Sequence, residues 1–110
     1  MMIEFDEQTW HLLGSDPRTA LALGHAWIAR AGQARDEGDL ARALYLAGRA
    51  ALNCGATEEA IGHLEQSLDL FERQGARAAQ LEAAVYLGIA QRDAGRVEQA
   101  SRTLQAGLEL

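Results

Sequence analysis

The stretches AGRAALNCGATEEA (residues 47–60) and LGIAQRDAGRVEQA (residues 87–100) carry the same small and acidic residues at matched places, 40 positions apart. Aligning residues 41–70 with residues 81–110 gives nine identities in thirty, where chance gives about two. Self-similarity at a fixed period is the signature of a repeat architecture, so the sequence predicts a structural unit with this period. In the first copy the identical positions are Ala43, Gly48, Ala50, Gly55, Glu58, Ala60, Leu64, Leu68 and Leu70.

The composition favours helices over strands. Alanine supplies 22 of the 110 residues and leucine supplies 16, whereas phenylalanine, tryptophan and tyrosine together supply six. Alanine and leucine lead the helix-propensity scale, and strands favour β-branched and aromatic residues. We therefore predict an all-α fold. A chain of this length fits one domain and buries enough surface for a core of its own.

Capping residues and glycines mark the ends of five predicted helices. Asp16 and Pro17 suit the N-cap and the first helical position, and Thr57 is the predicted cap of a later helix. The short turns between helices predict antiparallel neighbours. Residues 1–15 are predicted to be an N-terminal appendage, and residues 16–110 to be the helical repeat domain. Four glycines are assigned to C′ positions, where a left-handed residue ends a helix: Gly38, Gly55, Gly75 and Gly95.

Small residues recur around three of these glycines. Five positions after Gly38, Gly55 and Gly95 stands an alanine, and seven positions before each of them stands an alanine or a glycine. Such side chains let two antiparallel helices approach closely, with a larger apolar residue one turn later filling the space below. A helix pair of this kind cannot bury its apolar face alone, so we expect successive pairs to stack.

This spacing resembles the tetratricopeptide repeat, a family of stacked helix pairs. Gly88, Gly95, Ala100 and Leu104 occupy the family's small, glycine, alanine and large apolar positions, and the resemblance covers about residues 20–110. It implies antiparallel pairs stacked in a right-handed superhelix. Earlier in the chain the residues that fit the family pattern are Trp27, Ala31, Gly38 and Ala43.

The chain also departs from the family pattern. Ala51 and Gln91 stand where the family prefers tyrosine, and the closing proline is absent. The period of 40 positions is also longer than that of the family, which is roughly 34 residues. The longer period is similar to an extended variant found in bacterial signalling proteins. Because the spacing of Gly38, Gly55 and Gly95 is uneven, it stays open whether the second helix is the first or second member of a pair. A plain five-helix bundle is the alternative.

The resemblance implies a non-enzymatic module that binds a helical or extended protein segment in a concave groove. Tyr45, Arg49 and Asn53 lie four residues apart on one stripe of one helix. Tyrosine and arginine are favoured at interfaces because they combine apolar area with directed hydrogen bonds. The family positions that line the groove predict these partner-binding residues: Arg42, Tyr45, Arg49, Asn53, Glu82, Val85, Ile89 and Arg92.

No catalytic or cofactor site is predicted. His11, His25 and His63 lie in three different helical segments, no two of them four residues apart and none with a cysteine nearby, so a zinc signature is absent. The single Cys54 excludes an internal disulfide. Every glycine pattern marks a helix end or a helix contact, and none forms a phosphate-binding loop. We therefore predict no enzyme activity, no cofactor and no metal ligand.

The charge and hydropathy patterns limit the partners. The net charge is −6, and all ten basic residues are arginines that do not concentrate in one stretch, which disfavours nucleic acid. No apolar run approaches the length of about 20 residues that spans a membrane, and the N-terminus lacks the basic start of a secretory signal. A cytoplasmic protein that binds neither nucleic acid nor membrane is the prediction.

The last predicted helix ends in LQAGLEL with an apolar face and no helix after it. Either the chain is part of a longer protein, or a second copy covers that face. The segment IEFDEQTWHLL (residues 3–13) is the candidate cover in trans, which predicts a homodimer. A homo-oligomerisation domain without a peptide ligand and a small-molecule sensor are the alternative functions. The predicted self-association residues are Trp10, Leu104, Leu108 and Leu110.

Overall fold

The structure, a computed structural model, describes residues 5–110 and the side chains of residues 7–110. Within this range the chain folds into six helices joined by short turns, which confirms the all-α prediction of five helices behind a short N-terminal segment. None of these helices is both long and apolar enough to cross a membrane. The helices are α1 (Phe5–Leu12), α2 (Pro17–Gln33), α3 (Glu37–Asn53), α4 (Thr57–Gln74), α5 (Arg77–Asp93) and α6 (Val97–Leu108).

The last five helices begin at evenly spaced positions along the chain, which are 17, 37, 57, 77 and 97. The repeat period of the sequence is therefore two helices with their turns. Seven of the nine identities join equivalent places on α3 and α5 or on α4 and α6, while Gly55 and Gly95 lie in the turns and Leu110 follows α6. The N-cap residues follow the same interval. They are Asp16, Asp36, Ala56, Ala76 and Arg96.

One left-handed residue ends each helix from α2 to α5. Gly55, Gly75 and Gly95 have φ angles of 79°, 68° and 83°, and Arg35 takes the same place after α2 with φ 53°. The residue after each of them donates its backbone N–H to the carbonyl five positions earlier, which closes the helix end. The prediction that Gly38 closes the first helix is wrong, because Gly38 lies in the first turn of α3. The uneven glycine spacing arose because an arginine occupies the first left-handed position.

Two of the turns carry a side-chain cap. Asp16 accepts hydrogen bonds from the backbone N–H and the hydroxyl of Thr19, at 3.3 and 2.6 Å, as its prediction as an N-cap requires. These bonds, the hydroxyl first, lower the pKa of the Asp16 carboxyl. Asp36 caps α3 in the same way through the backbone N–H of Asp39. The prediction that Thr57 caps a helix is wrong, because it is the first residue of α4 and the N-cap has no side-chain acceptor.

Glycines allow the helices to pack closely at equivalent places in the two copies. A Cβ added at Gly48 would lie 2.7 Å from Cγ of Leu64, and one added at Gly88 would lie 2.7 Å from Cγ of Leu104. The first helix of each pair thus receives a leucine of the second helix. Gly24 faces an alanine, because its Cβ would lie 2.8 Å from Cβ of Ala47.

Each helix packs on the next one along the chain, and in residues 5–110 the backbones of alternate helices approach each other only among α1, α3 and α5. These three helices form one layer, with α2, α4 and α6 on the other side. Helix α3, whose place within a pair the sequence left open, therefore lies in the same layer as α5. The molecule measures 44 × 29 × 19 Å.

Candidate functional site

A cavity of about 590 Å³ opens between the N-terminal half of α3 and the turn that joins α4 to α5. Its apolar wall comes from α3, α4 and α5, the side chain of Trp10 of α1 lies at its rim, and its charged and amide side chains are exposed. We call this cavity the groove. Its lining residues are Trp10, Gly38, Arg42, Tyr45, Leu46, Phe71, Gln74, Ala76, Ala79 and Glu82.

Tyr45 lies at the base of the groove within an aromatic cluster. Its ring meets those of Phe71 and Tyr86 edge to face, with centroid distances of 6.3 and 6.0 Å. Burial raises the pKa of the Tyr45 hydroxyl to about 12, against the opposing effect of the nearby Arg49 charge. Arg49 also donates a hydrogen bond to that hydroxyl, at 3.3 Å. The base of the groove is therefore apolar, with one polar group that already has a partner.

Arg49 joins α1 to the layer formed by α3 and α5. Its guanidinium carbon lies 4.2 Å from the ring centroid of Tyr86, 5.0 Å from that of Trp10 and 5.6 Å from that of Tyr45. A guanidinium within about 6 Å of an aromatic ring centroid is attracted by the ring quadrupole. Asn53 adds a second link, because its side-chain amide donates to the carbonyl oxygen of Leu13 at 2.8 Å.

The N-terminal segment covers its own chain in this structure. Helix α1 packs on α2 and α3, and the side chains of Thr9 and Leu13 are buried there. The buried side chains of this segment lie against its own α2 and α3, and the expectation of a cover in trans stays a prediction. Residues 3 and 4, which that expectation included, lie outside the described range. Trp10 remains 55% exposed, and its predicted role in self-association stays a prediction.

The eight predicted groove residues separate into three sets. Arg42, Tyr45 and Glu82 line the groove, while Arg49 and Asn53 hold α1 in place. The structure does not bring the other three to the groove, because they lie farther along α5. They are the borderline-exposed Val85, the half-buried Ile89 and the exposed Arg92, whose guanidinium lies beside the carboxylate of the adjacent Asp93.

Sequence reasoning missed four apolar residues that line the groove, and Phe71 and Ala79 are two of them. Phe71 comes from the end of α4, and Ala79 comes from the first turn of α5. Only positions on the first helix of each pair were carried over from the family, so a contribution from α4 was not considered. The signal for Ala79 was an alanine close behind Gly75, where a turn brings two helices together.

The predicted apolar face at the C-terminus is partly occupied. Leu104 fits against Gly88 of the preceding helix and is 37% exposed, and its predicted role in self-association stays a prediction. Leu108 is 82% exposed and Leu110 is 45% exposed. A second cavity, of about 520 Å³, lies between α4 and α6 above Ala84, and polar and apolar residues contribute equally to its lining.

Two of the three histidines meet on one carboxylate. Nε2 of His25 lies 2.5 Å from Oε2 of Glu59, and Nε2 of His63 lies 3.0 Å from the same oxygen. The bond from His25 is the largest cause that lowers the pKa of the Glu59 carboxyl. The three histidines do lie in three different helices, but the sequence did not predict that two of them meet. Glu59 and His63 are four residues apart on α4, which was a readable signal, but the arrival of His25 from α2 depends on tertiary packing.

A comparison of the chain with protein-family models, curated proteins and solved structures gave no match. The groove and the histidine cluster are therefore interpreted from their own geometry.

Proposed function

We propose that the chain is a non-enzymatic binding module that holds an amphipathic helix of a protein partner in the groove. The observation that carries this proposal is an apolar cavity, walled by Tyr45, Phe71 and Ala79, whose charged side chains stand only at its mouth. Helix-in-groove recognition needs an apolar slot for anchoring side chains and a polar rim that stays hydrated. A small-molecule sensor or an enzyme would instead be supported by buried polar groups that converge in the cavity.

A helical ligand suits this layer of the molecule. Helix α1 already lies against α3 of its own chain and reaches the groove with Trp10. Arg42 and Glu82 place opposite charges at the mouth. A partner helix with a large apolar anchor would match this rim if an acidic residue faced Arg42 and a basic residue faced Glu82.

A displayed library of amphipathic helical peptides tests this proposal. The perturbation is Ala79→Trp, which fills the groove from α5, and the matched control is Ala78→Trp, because Ala78 is exposed and does not line the groove. We expect selection on the unchanged protein to enrich peptides with an aromatic or leucine anchor. Their binding should be lost in Ala79→Trp and kept in Ala78→Trp, with circular dichroism showing that both variants are folded.

Two outcomes would count against the proposal. One is a selection that yields no enriched family of peptides. The other is a family of peptides that binds Ala79→Trp as well as it binds the control, because those peptides would then use another surface.

Self-association through α6 is a second candidate, and the repeat itself favours it. Leu70 of the first copy is buried, whereas its equivalent Leu110 is 45% exposed because no later helix covers it in this structure. We propose that a second copy of the chain covers Leu108 and Leu110, in keeping with the predicted homodimer. Sedimentation equilibrium should show a dimer that Leu108→Glu dissociates. A monomer at millimolar concentration would remove this candidate.

A further inference from the structure

The side chains of His25, Glu59 and His63 form a cluster on the surface where α2 and α4 flank α3. Each residue offers one ligand atom, an imidazole nitrogen or a carboxylate oxygen, and these three atoms lie within 4.8 Å of one another. We propose that this cluster is a binding site for a divalent transition metal ion, with Zn²⁺ as its most suitable occupant. The groove and its proposed function play no part in this inference.

The donor set selects the class of metal. Imidazole nitrogen suits zinc, copper, nickel and iron, whereas magnesium and calcium require oxygen ligands. Zinc binds histidine at about 2.0–2.1 Å and carboxylate at about 2.0–2.2 Å, which places tetrahedral ligand atoms roughly 3.3 Å apart. The present separations of 2.5 and 3.0 Å from Glu59 Oε2 need to open by less than about 1 Å. Rotation of the exposed side chain of His25 and of the half-buried side chain of Glu59 supplies such a movement.

Small residues on α3 bring the two imidazoles together. Gly24, next to His25, packs against Ala47, and a Cβ added at Gly48 would lie 3.4 Å from Cβ of His63. The two rings therefore meet edge to face at a centroid distance of 5.8 Å, above a part of α3 that has almost no side chain. The site is assembled by three helices, so it depends on the folded protein.

The residues at equivalent places one repeat period later show that the fold does not require these ligands. The residues 40 positions later are Glu65, Gln99 and Thr103, which offer no imidazole. The supporting contact is nevertheless repeated, because Gly88 receives Leu104 as Gly48 receives Leu64. Packing at these places therefore tolerates other polar side chains, and the histidines and Glu59 are not explained by packing alone.

The neighbouring charges leave the three ligands available. Glu58, the nearest other carboxylate in sequence, is engaged by the guanidinium of Arg96 at 2.9 and 3.1 Å. His25 is half exposed, so one coordination position faces water. A bound ion would tie α2 to α4, two helices whose backbones do not approach each other in the described part of the chain.

The test is a titration of the untagged, metal-free protein with Zn²⁺, followed by calorimetry and by competition with a chromophoric chelator. We expect one equivalent to bind, and Co²⁺ to give the visible absorption of a tetrahedral site. His25→Asn, Glu59→Gln and His63→Asn should each weaken binding by at least about tenfold, since even the loss of an outer-shell partner costs about 10–100-fold. Thermal unfolding should shift upward on Zn²⁺ addition in the unchanged protein and much less in these three variants.

His11→Asn is the matched control, because His11 and Glu7 form an exposed pair four residues apart on α1. This variant should bind Zn²⁺ as the unchanged protein does. Binding that survives in His25→Asn, or that is lost in His11→Asn, would overturn the proposal. So would the absence of Zn²⁺ binding by the folded, unchanged protein.

Discussion

Replacing Gly48 by alanine should destabilise the protein, although alanine is the better helix former. The added Cβ would lie 2.7 Å from Cγ and 2.9 Å from Cδ2 of Leu64, and Leu64 is fully buried (0% exposed), so it has no space to move into. Overpacking of this kind costs about 1–3 kcal/mol. The gain in helix propensity offsets about 1 kcal/mol. We therefore expect Gly48→Ala to lower the free energy of unfolding by about 1 kcal/mol.

The repeat provides a matched comparison at Gly88. An added Cβ there would meet Leu104 at the same 2.7 and 2.9 Å, but Leu104 is 37% exposed and can turn outward. Gly88→Ala should therefore be neutral or stabilising by up to about 1 kcal/mol, because the propensity gain remains. Gly62, in the middle of α4, has nothing within 4 Å of an added Cβ. Gly62→Ala should stabilise the protein by roughly 1 kcal/mol.

Urea and thermal unfolding followed by circular dichroism at 222 nm measure all three variants. A change of 1 kcal/mol corresponds to a midpoint shift of roughly 4–8 °C in a domain of 60–100 residues. The expected order of stability is Gly62→Ala, then Gly88→Ala, then Gly48→Ala. The reasoning is refuted if Gly48→Ala is as stable as the unchanged protein, or if Gly88→Ala is the more damaging of the two repeat variants.

Three further predictions concern single side chains. Because burial raises the pKa of Tyr45 to about 12 while the unfolded phenol ionises near 10, stability present below pH 10 is lost as the pH rises toward 12. Urea unfolding at pH 8 and at pH 10.5 measures how much the free energy of unfolding falls between the two pH values. This fall should be roughly 1 kcal/mol smaller in Tyr45→Phe than in the unchanged protein. An equal fall in both would contradict the assignment. Arg49→Ala should speed hydrogen exchange of the α1 amides relative to those of α4, since Arg49 stacks on Trp10; unchanged exchange would mean that α1 is held by other contacts. The pKa of the Asp16 carboxyl in the folded protein lies below its usual value of 3.8. The stability that its cap contributes is therefore present above pH 3.8 and is lost as the pH falls through the lowered pKa. Asp16→Ala should lower the melting temperature at pH 7 but not at pH 2, and a deficit that persists at pH 2 would point to another role.

Features local to the chain were predictable from the sequence. Gly55, Gly75 and Gly95 end helices as expected, and the matched glycines Gly48 and Gly88 identified the pairs that repeat. Arg35 was not predictable, because an arginine in the left-handed region gives no signal. Its position shifted the assignment of the first turn by three residues.

The site was less predictable because tertiary contacts decide it. Tyr45 lines the groove, but the same stripe on α3 continues to Arg49 and Asn53, which contact α1 and the residue after it. Helical periodicity gives the face on which a residue lies and does not give the segment that covers it. His25 was missed for the same reason, because its approach to Glu59 depends on helices that α3 separates.

The even spacing of the helix starts has a consequence for how such a chain can grow or shrink. Odd-numbered and even-numbered helices lie in opposite layers, so a duplication or deletion of one helix pair preserves the layer of every later helix. The gain or loss of a single helix would move each later helix to the opposite layer and turn its apolar stripe outward. Length variation in this architecture is therefore subject to a parity rule, and only whole pairs can be gained or lost without redesigning the rest of the chain.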